Sequence, residues 1–142
     1  MIAPATSEVL ESLGVPVVGF RTDELPLFYA ARGGPPVSAR VESAEQAAQI
    51  AARHWELGGG GLLVANPAAE SLDDVEPLIT EGLAEAARRG ITGQAVTPFV
   101  LSHLHRESGG RTEAANRALV AQNARLAGEI ALEIAAAERE HG

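Results

Sequence analysis

Apolar positions recur at two different spacings along the chain. From Thr112 to His141, Ala115, Leu119, Leu126, Ile130, Ile134 and Ala137 return to one side of a helix every three or four residues. That spacing predicts one long amphipathic helix with a single stripe facing a core. Val15–Phe20 (VPVVGF) and Leu62–Ala65 (LLVA) are instead short, continuous, β-branched runs, as expected of strands buried on both faces. Pro16 fits only near the start of its strand. Local punctuation places further helices. Ala5–Leu13 is closed by Gly14, and the capping box Ser43–Gln46 opens a helix that runs to about Leu57 and ends in Gly58–Gly61. Asp74 caps a helix with Ile79, Leu83 and Ala86 on one face and a stop at Gly90. Thr97-Pro98 opens a helix carrying Phe99, Val100, Leu101 and Leu104, which ends at Gly109-Gly110. Residues 21–41 read as irregular, with five prolines and glycines between Pro26 and Pro36; so long a segment usually covers a site or an interface.

The order of elements makes this an α/β chain. A strand–helix–strand unit implies a parallel pair joined by a right-handed crossover. Two short parallel strands, about 15–20 and 61–65, are too few for such a sheet, which needs both faces covered and several strands. The missing strands are expected from a partner chain or from a longer protein. Residues 1–142 thus read as a single, partial domain.

Composition narrows the partners. A hydrophobic content of 46% argues against general disorder, and a net charge of −8 argues against a nucleic-acid backbone as ligand. No apolar run approaches the ~20 residues of a membrane span, and the N-terminus lacks a basic segment ahead of an apolar one. The cytoplasm is the expected location. Cysteine is absent, and every one of the 11 basic residues is arginine. An arginine stays protonated at neutral pH, so a mechanism that needs a lysine Schiff base cannot run on this chain alone.

Candidate chemistry gathers after the strands, where ligands collect in parallel α/β folds. Thr22-Asp23-Glu24 follows the first strand and reads as a solvated turn or a carboxylate pair. Asn66, within the turn Asn66-Pro67, follows the second. Gly58–Gly61 follows a helix and precedes a strand, the reverse of a phosphate loop, so it reads as a helix end. His103 and His105, two apart, do not share a helix face and read as solvated surface; His54 beside Trp55 reads as packing. Asn116 and Asn123 lie two turns apart on one face of the last helix, with Val120 between them. Their amides must bond to protein, water or ligand, and either helix-to-helix bonding or recognition of the edge of a base-like ring would satisfy them.

Four stretches resemble one family: Gly14–Tyr29 (GVPVVGFRTDELPLFY), His54–Pro67 (HWELGGGGLLVANP), Gly90–Leu101 (GITGQAVTPFVL) and Gly109–Ala131 (GGRTEAANRALVAQNARLAGEIA). They are similar, in consistent order, to the C-terminal half of the pseudouridine-5′-phosphate glycosidases, also called indigoidine synthase A-like proteins. The resemblance implies an α/β/α layered fold, a homotrimer, and reversible cleavage of the C–C glycosidic bond of pseudouridine 5′-phosphate to uracil and ribose 5-phosphate. It also implies a lysine Schiff base, a glutamate proton donor and a divalent metal, usually Mn²⁺. Those groups lie upstream of the matching region, so no catalytic residue and no metal ligand is expected within this chain. Asn116 matches a family asparagine that approaches the uracil; Asn123 and Asn66 are weaker candidates for substrate contact. Gln122 stands where the family has the first asparagine of a pair, and Arg21 replaces a smaller or uncharged residue. The chain is therefore expected to need a separately supplied N-terminal half. The alternatives are a catalytically inactive truncated remnant and an oligomerisation or assembly module built on the long helix.

Overall fold

The computed structural model describes residues 4–27, 33–69 and 72–141. Phe28 and Tyr29 of the first matching stretch, and the middle of the irregular segment, lie outside the described residues. The elements are α1 (Pro4–Ser12), β1 (Val17–Phe20), β2 (Ala39–Val41), α2 (Ala44–Glu56), β3 (Leu63–Ala65), α3 (Glu76–Arg88), α4 (Val96–Glu107) and α5 (Arg111–His141). The strands form one parallel sheet in the order β2-β1-β3.

Strand β2 corrects the expectation of two strands. Its sequence, Ala39-Arg40-Val41, is too short for a period to show, and it pairs only because β1 offers a free edge. The described parts of the flanking segment, on either side of residues 28–32, are hydrogen-bonded to each other. Leu25 N–H donates to the Pro35 carbonyl at 2.8 Å and Val37 N–H to that of Asp23 at 3.0 Å, which folds the segment back on itself.

Helix boundaries follow the local chemistry, with three corrections. The Ser43 hydroxyl accepts from Gln46 N–H at 3.2 Å, as the capping box requires, while the Gln46 amide oxygen reaches one residue further and accepts from Glu42 N–H at 2.7 Å instead of from Ser43 N–H. Asp74 does not cap α3. Residues 73–75 form a tight 3₁₀ turn, α3 starts at Glu76, and the Asp74 carboxylate turns instead to Arg111. Thr97 does not cap α4 either, because a 3₁₀ turn at 93–95 runs directly into a helix that begins at Val96; Thr97 and Pro98 then occupy its first turn, where a missing N–H costs nothing. Leu83 is 40% exposed rather than on the buried face of α3, and Gly82 takes the buried place because α4 approaches too closely for a side chain. A Cβ on Gly82 would sit 3.1 Å from the His103 ring and 3.4 Å from Val100.

Apolar burial falls into two clusters. Val18, Phe20 and Val41 from one face of the sheet pack with Ala47 and Ile50 of α2 and with Ile130 of α5. Val75, Ile79, Val100 and Leu104 form the second cluster, with Ala115 of α5 against it. Helix α5 thus reaches both, and its 31 residues give it a length of about 46 Å.

The other sheet face is held close to the returning loop at Gly19. A Cβ there would collide with the Thr22 carbonyl oxygen and lie 3.0 Å from a methyl of Val37. Backbone cannot yield as a flexible side-chain tip can. Gly19→Ala is therefore expected to destabilise the fold by about 1–3 kcal/mol in a denaturant titration; a loss below about 0.5 kcal/mol, the scale of an ordinary surface change, would contradict this packing.

Candidate functional site

The carboxyl end of β3 is tied to α5 by a small amide network. Asn66 is the first residue after the strand, and Pro67 bends the chain away from it. The Gln122 amide nitrogen donates to the Asn66 side-chain oxygen at 3.1 Å and to the Pro67 carbonyl at 2.8 Å. The Asn66 amide nitrogen in turn donates to the Asn123 side-chain oxygen at 3.1 Å. Two residues of α5 thus read one amide from both ends, which sets the height of the helix against the strand tip.

Beside this network lies a cleft of about 450 Å³, walled by Ala68, Ala69 and Leu72 on one side and by the α5 face of Ala114, Ala115, Ala118 and Leu119 on the other. Among the described residues its polar side chains are Arg111 at one end and Gln122 at the other. The alanines leave the space: larger side chains at these helical positions would close the gap. An apolar cleft with a few convergent polar groups is the usual form of a small-molecule site. Arg111 is not a free cation there. Its guanidinium donates to the Asp74 carboxylate at 2.7 Å, which holds that carboxyl below the usual range and raises the guanidinium.

Asn116 and Asn123 do share a face of α5, but the structure gives them different surroundings. Asn123 belongs to the amide network, whereas half-buried Asn116 makes no side-chain hydrogen bond among the described residues and is absent from the cleft wall. Gln122 is the residue that sequence reasoning passed over. Only its spacing from Asn66 in three dimensions reveals it as the hub, and the departure from the family's asparagine at this position was its sole signal. Asp23 pairs with Arg40 at 2.7 Å, and the Glu24 carboxylate accepts from Gly33 N–H at 2.7 Å, while the Thr22 hydroxyl closes the turn onto the Glu24 carbonyl at 2.9 Å. These groups make a braced loop, not a paired-carboxylate site.

His103 is buried rather than solvated, at 6% exposure, because α3 presents Gly82 to its ring. Arg106 lies 3.3 Å from its Nδ1, and its Nε2 has no hydrogen-bond partner among the described residues. His54 packs over Gly59, as expected, and Trp55 donates to the Gly60 carbonyl at 2.9 Å. Among the described residues no group of three or more His, Cys, Asp and Glu side chains could hold a metal ion, and no helix is long and apolar enough to cross a membrane.

Comparison with known proteins decides the kinship. The profile of the family described as indigoidine synthase A like protein matches residues 2–133. The chain belongs to the indigoidine synthase A-like family. A pseudouridine-5′-phosphate glycosidase of Myxococcus xanthus is 46% identical over 139 residues, covering 94% of this chain and 46% of that protein. One of Thermus thermophilus is 44% identical over 136 residues, covering 94% and 48%. Among solved structures, the prealnumycin C-glycosynthase AlnA in complex with ribulose 5-phosphate superposes with a TM-score of 0.85 at 38% identity, over 96% of this chain and 46% of that one. An indigoidine synthase A-like protein of Thermotoga maritima gives a TM-score of 0.77 at 40% identity, over 92% and 44%. The chain therefore spans about half the length of the family members it matches.

Two expectations follow from the geometry. Gln122→Ala removes two hydrogen bonds from half-buried partners and should cost about 1–3 kcal/mol in a chemical melt, against about 1 kcal/mol or less for exposed Asn123→Ala; equal losses would show that Gln122 is not the hub. The Asp74 carboxyl, lowered in the folded state by Arg111, adds stability that is present above its unfolded pKa and is lost as pH falls through the lower folded one. Asp74→Asn should therefore flatten the acid limb of the stability profile below neutral pH, measured by thermal melts across pH.

Proposed function

We propose that this chain supplies the C-terminal part of a pseudouridine-5′-phosphate glycosidase, which reversibly cleaves the C–C glycosidic bond of its substrate to uracil and ribose 5-phosphate. The observation that carries this reading is identity of 44–46% to curated glycosidases along nearly the whole chain. A second relative adds support, since a C-glycosynthase holding a five-carbon sugar phosphate shares the fold. Both names concern a carbon–carbon bond to a sugar.

In this reading Asn116, half-buried and without a protein partner for its amide among the described residues, presents a donor and an acceptor to the edge of uracil. Asn66 and Asn123 stand as weaker contacts at the end of β3, and the network that joins them to Gln122 fixes the height of the helix that carries Asn116. An amide suits a neutral ring because it offers both polarities without the desolvation cost of a charge. The chain contains no lysine. The family resemblance puts the amine that opens the ribose, the glutamate that moves the proton and the ligands of a divalent ion such as Mn²⁺ in the complementary N-terminal part, and the lack of lysine supports this for the amine. The residues described here do not make a place for that ion, and no step of the reaction is assigned to it. Assembly into a homo-oligomer of three, in the cytoplasm, completes the proposal.

The test is reconstitution. Joined to, or mixed with, the N-terminal part of a curated relative, the chain should release uracil from pseudouridine 5′-phosphate, followed by chromatography. Asn116→Ala should then lower kcat/KM by roughly tenfold or more, the scale of one hydrogen bond of about 1.5 kcal/mol. Turnover at an enzymatic rate by the chain alone would overturn the division of labour, and no release from a folded, joined protein would overturn the activity.

A further inference from the structure

Helix α4 carries a titratable group that the proposed reaction does not use. His103 is 6% exposed, and its ring lies against Gly82 of α3, where a Cβ would come within 3.1 Å of it. Arg106, one turn along α4, places a guanidinium nitrogen 3.3 Å from Nδ1. A guanidinium can only donate, so Nδ1 accepts and the neutral ring carries its hydrogen on Nε2. That Nε2–H is buried and has no acceptor among the described residues. A buried donor left unpaired is costly, and the carboxylate within ion-pair reach of this one is Glu81 of α3, 3.9 Å away.

The surrounding charges single out that carboxylate. From α3, Glu85 also faces the ring, and it is already bound by Arg88 and Arg89. On α4 itself, Glu107 is bound by Arg106. In the first turns of α5, which packs on α4, Arg111 is held by Asp74 and Glu113 by Arg117. The turn at 93–95 that leads into α4 carries no charge. Glu81 is the exception: among the described residues it pairs with no arginine. Its side chain is 61% exposed, so a change of rotamer closes the gap to the ~2.8 Å of a charge-assisted hydrogen bond.

We propose that His103 is a proton-operated latch between α3 and α4. Neutral, the ring accepts from Arg106 and leaves Glu81 in solvent. A proton taken from solvent binds Nδ1 and turns that acceptor into a donor, so Arg106 turns away. Glu107, four residues on and one turn along the helix, accepts the new Nδ1–H. The imidazolium then donates from Nε2 to Glu81, across the two helices. Histidine is the side chain suited to such a change near physiological pH. Val100 and Leu104 of α4 pack with Ile79 of α3 and with Ala115 of α5. Closing the latch therefore tightens the helix pair that meets α5; the added hold is present where the ring is protonated and is lost as pH rises. The device lies within α3 and α4 and is independent of the reaction proposed above.

The experiment uses the whole chain, labelled with ¹⁵N, and follows both ring nitrogens of His103 by long-range proton–nitrogen NMR from about pH 8 to about pH 5.5. At the alkaline end Nδ1 should be bare and Nε2 protonated; at the acid end both should carry hydrogen. Glu81→Gln should lower the melting temperature by about 3 °C at the acid end and by less than about 1 °C at the alkaline end. In a His103→Gln background the same substitution should have equal effects at both ends, because the proton acceptor is gone. Should His103→Gln unfold, the wild-type nitrogen spectra and the Glu81→Gln melts decide without it. Hydrogen on Nδ1 at the alkaline end, a ring that stays singly protonated at the acid end, or a Glu81→Gln effect that is the same at both ends each overturns the latch.

Discussion

Helix α5 contributes a side chain to each of the two apolar clusters, Ala115 to one and Ile130 to the other, and among the described residues no other element does so. Each cluster is small, with only three or four fully buried apolar residues. Burial at about 25 cal/mol per Å² cannot make either a self-sufficient core against the entropy of ordering its segments. A continuous backbone-bonded helix couples them, because displacing α5 from the sheet also withdraws Ala115 from the cluster between α3 and α4. The regularity of α5 is thus a tertiary constraint as well as a local one.

The amide network works at the point where that coupling meets the strand tips. Apolar contacts along α5 involve many alanines, which slide at little cost because their surfaces are nearly uniform. Hydrogen bonds from Gln122 to Asn66 and Pro67, and from Asn66 to Asn123, are directional and supply the register that alanine packing lacks. The adjoining cleft is apolar for the same reason: alanines that keep the helix close to the loop after β3 leave unfilled volume beside it. Arg111 at its far end is matched to Asp74.

Among the described residues the sheet has three parallel strands, in the order β2-β1-β3. The chain's fold superposes on less than half of its solved relatives, at TM-scores of 0.85 and 0.77, so this portion keeps its arrangement as a unit. Arg21 fits the same picture. It follows β1 in a left-handed conformation at φ 57°, which costs an ordinary residue about 1–2 kcal/mol, and it is held by a 3.1 Å bond to the Glu42 carbonyl and by stacking on Phe20. Arg21 is kept in that conformation by contacts that only the folded chain provides.

Much of this was legible in the residues themselves. The stripe of α5, the capping box of α2, the apolar runs of β1 and β3 and the glycine stops are set by local sterics and by side-chain periodicity, which act over a few residues. The kinship was legible too, because four blocks keep their order. What the sequence could not disclose depends on distance across space. Strand β2 exists because β1 has a free edge, not because Ala39-Arg40-Val41 prefers it. His103 is buried because Gly82, on another helix, makes room. Gln122 and Asn123 meet Asn66 while Asn116 does not, since a rotation of 100° per residue and the height of one helix decide which amide arrives at the strand tip. Periodicity assigns a residue to a face; only packing decides what that face meets.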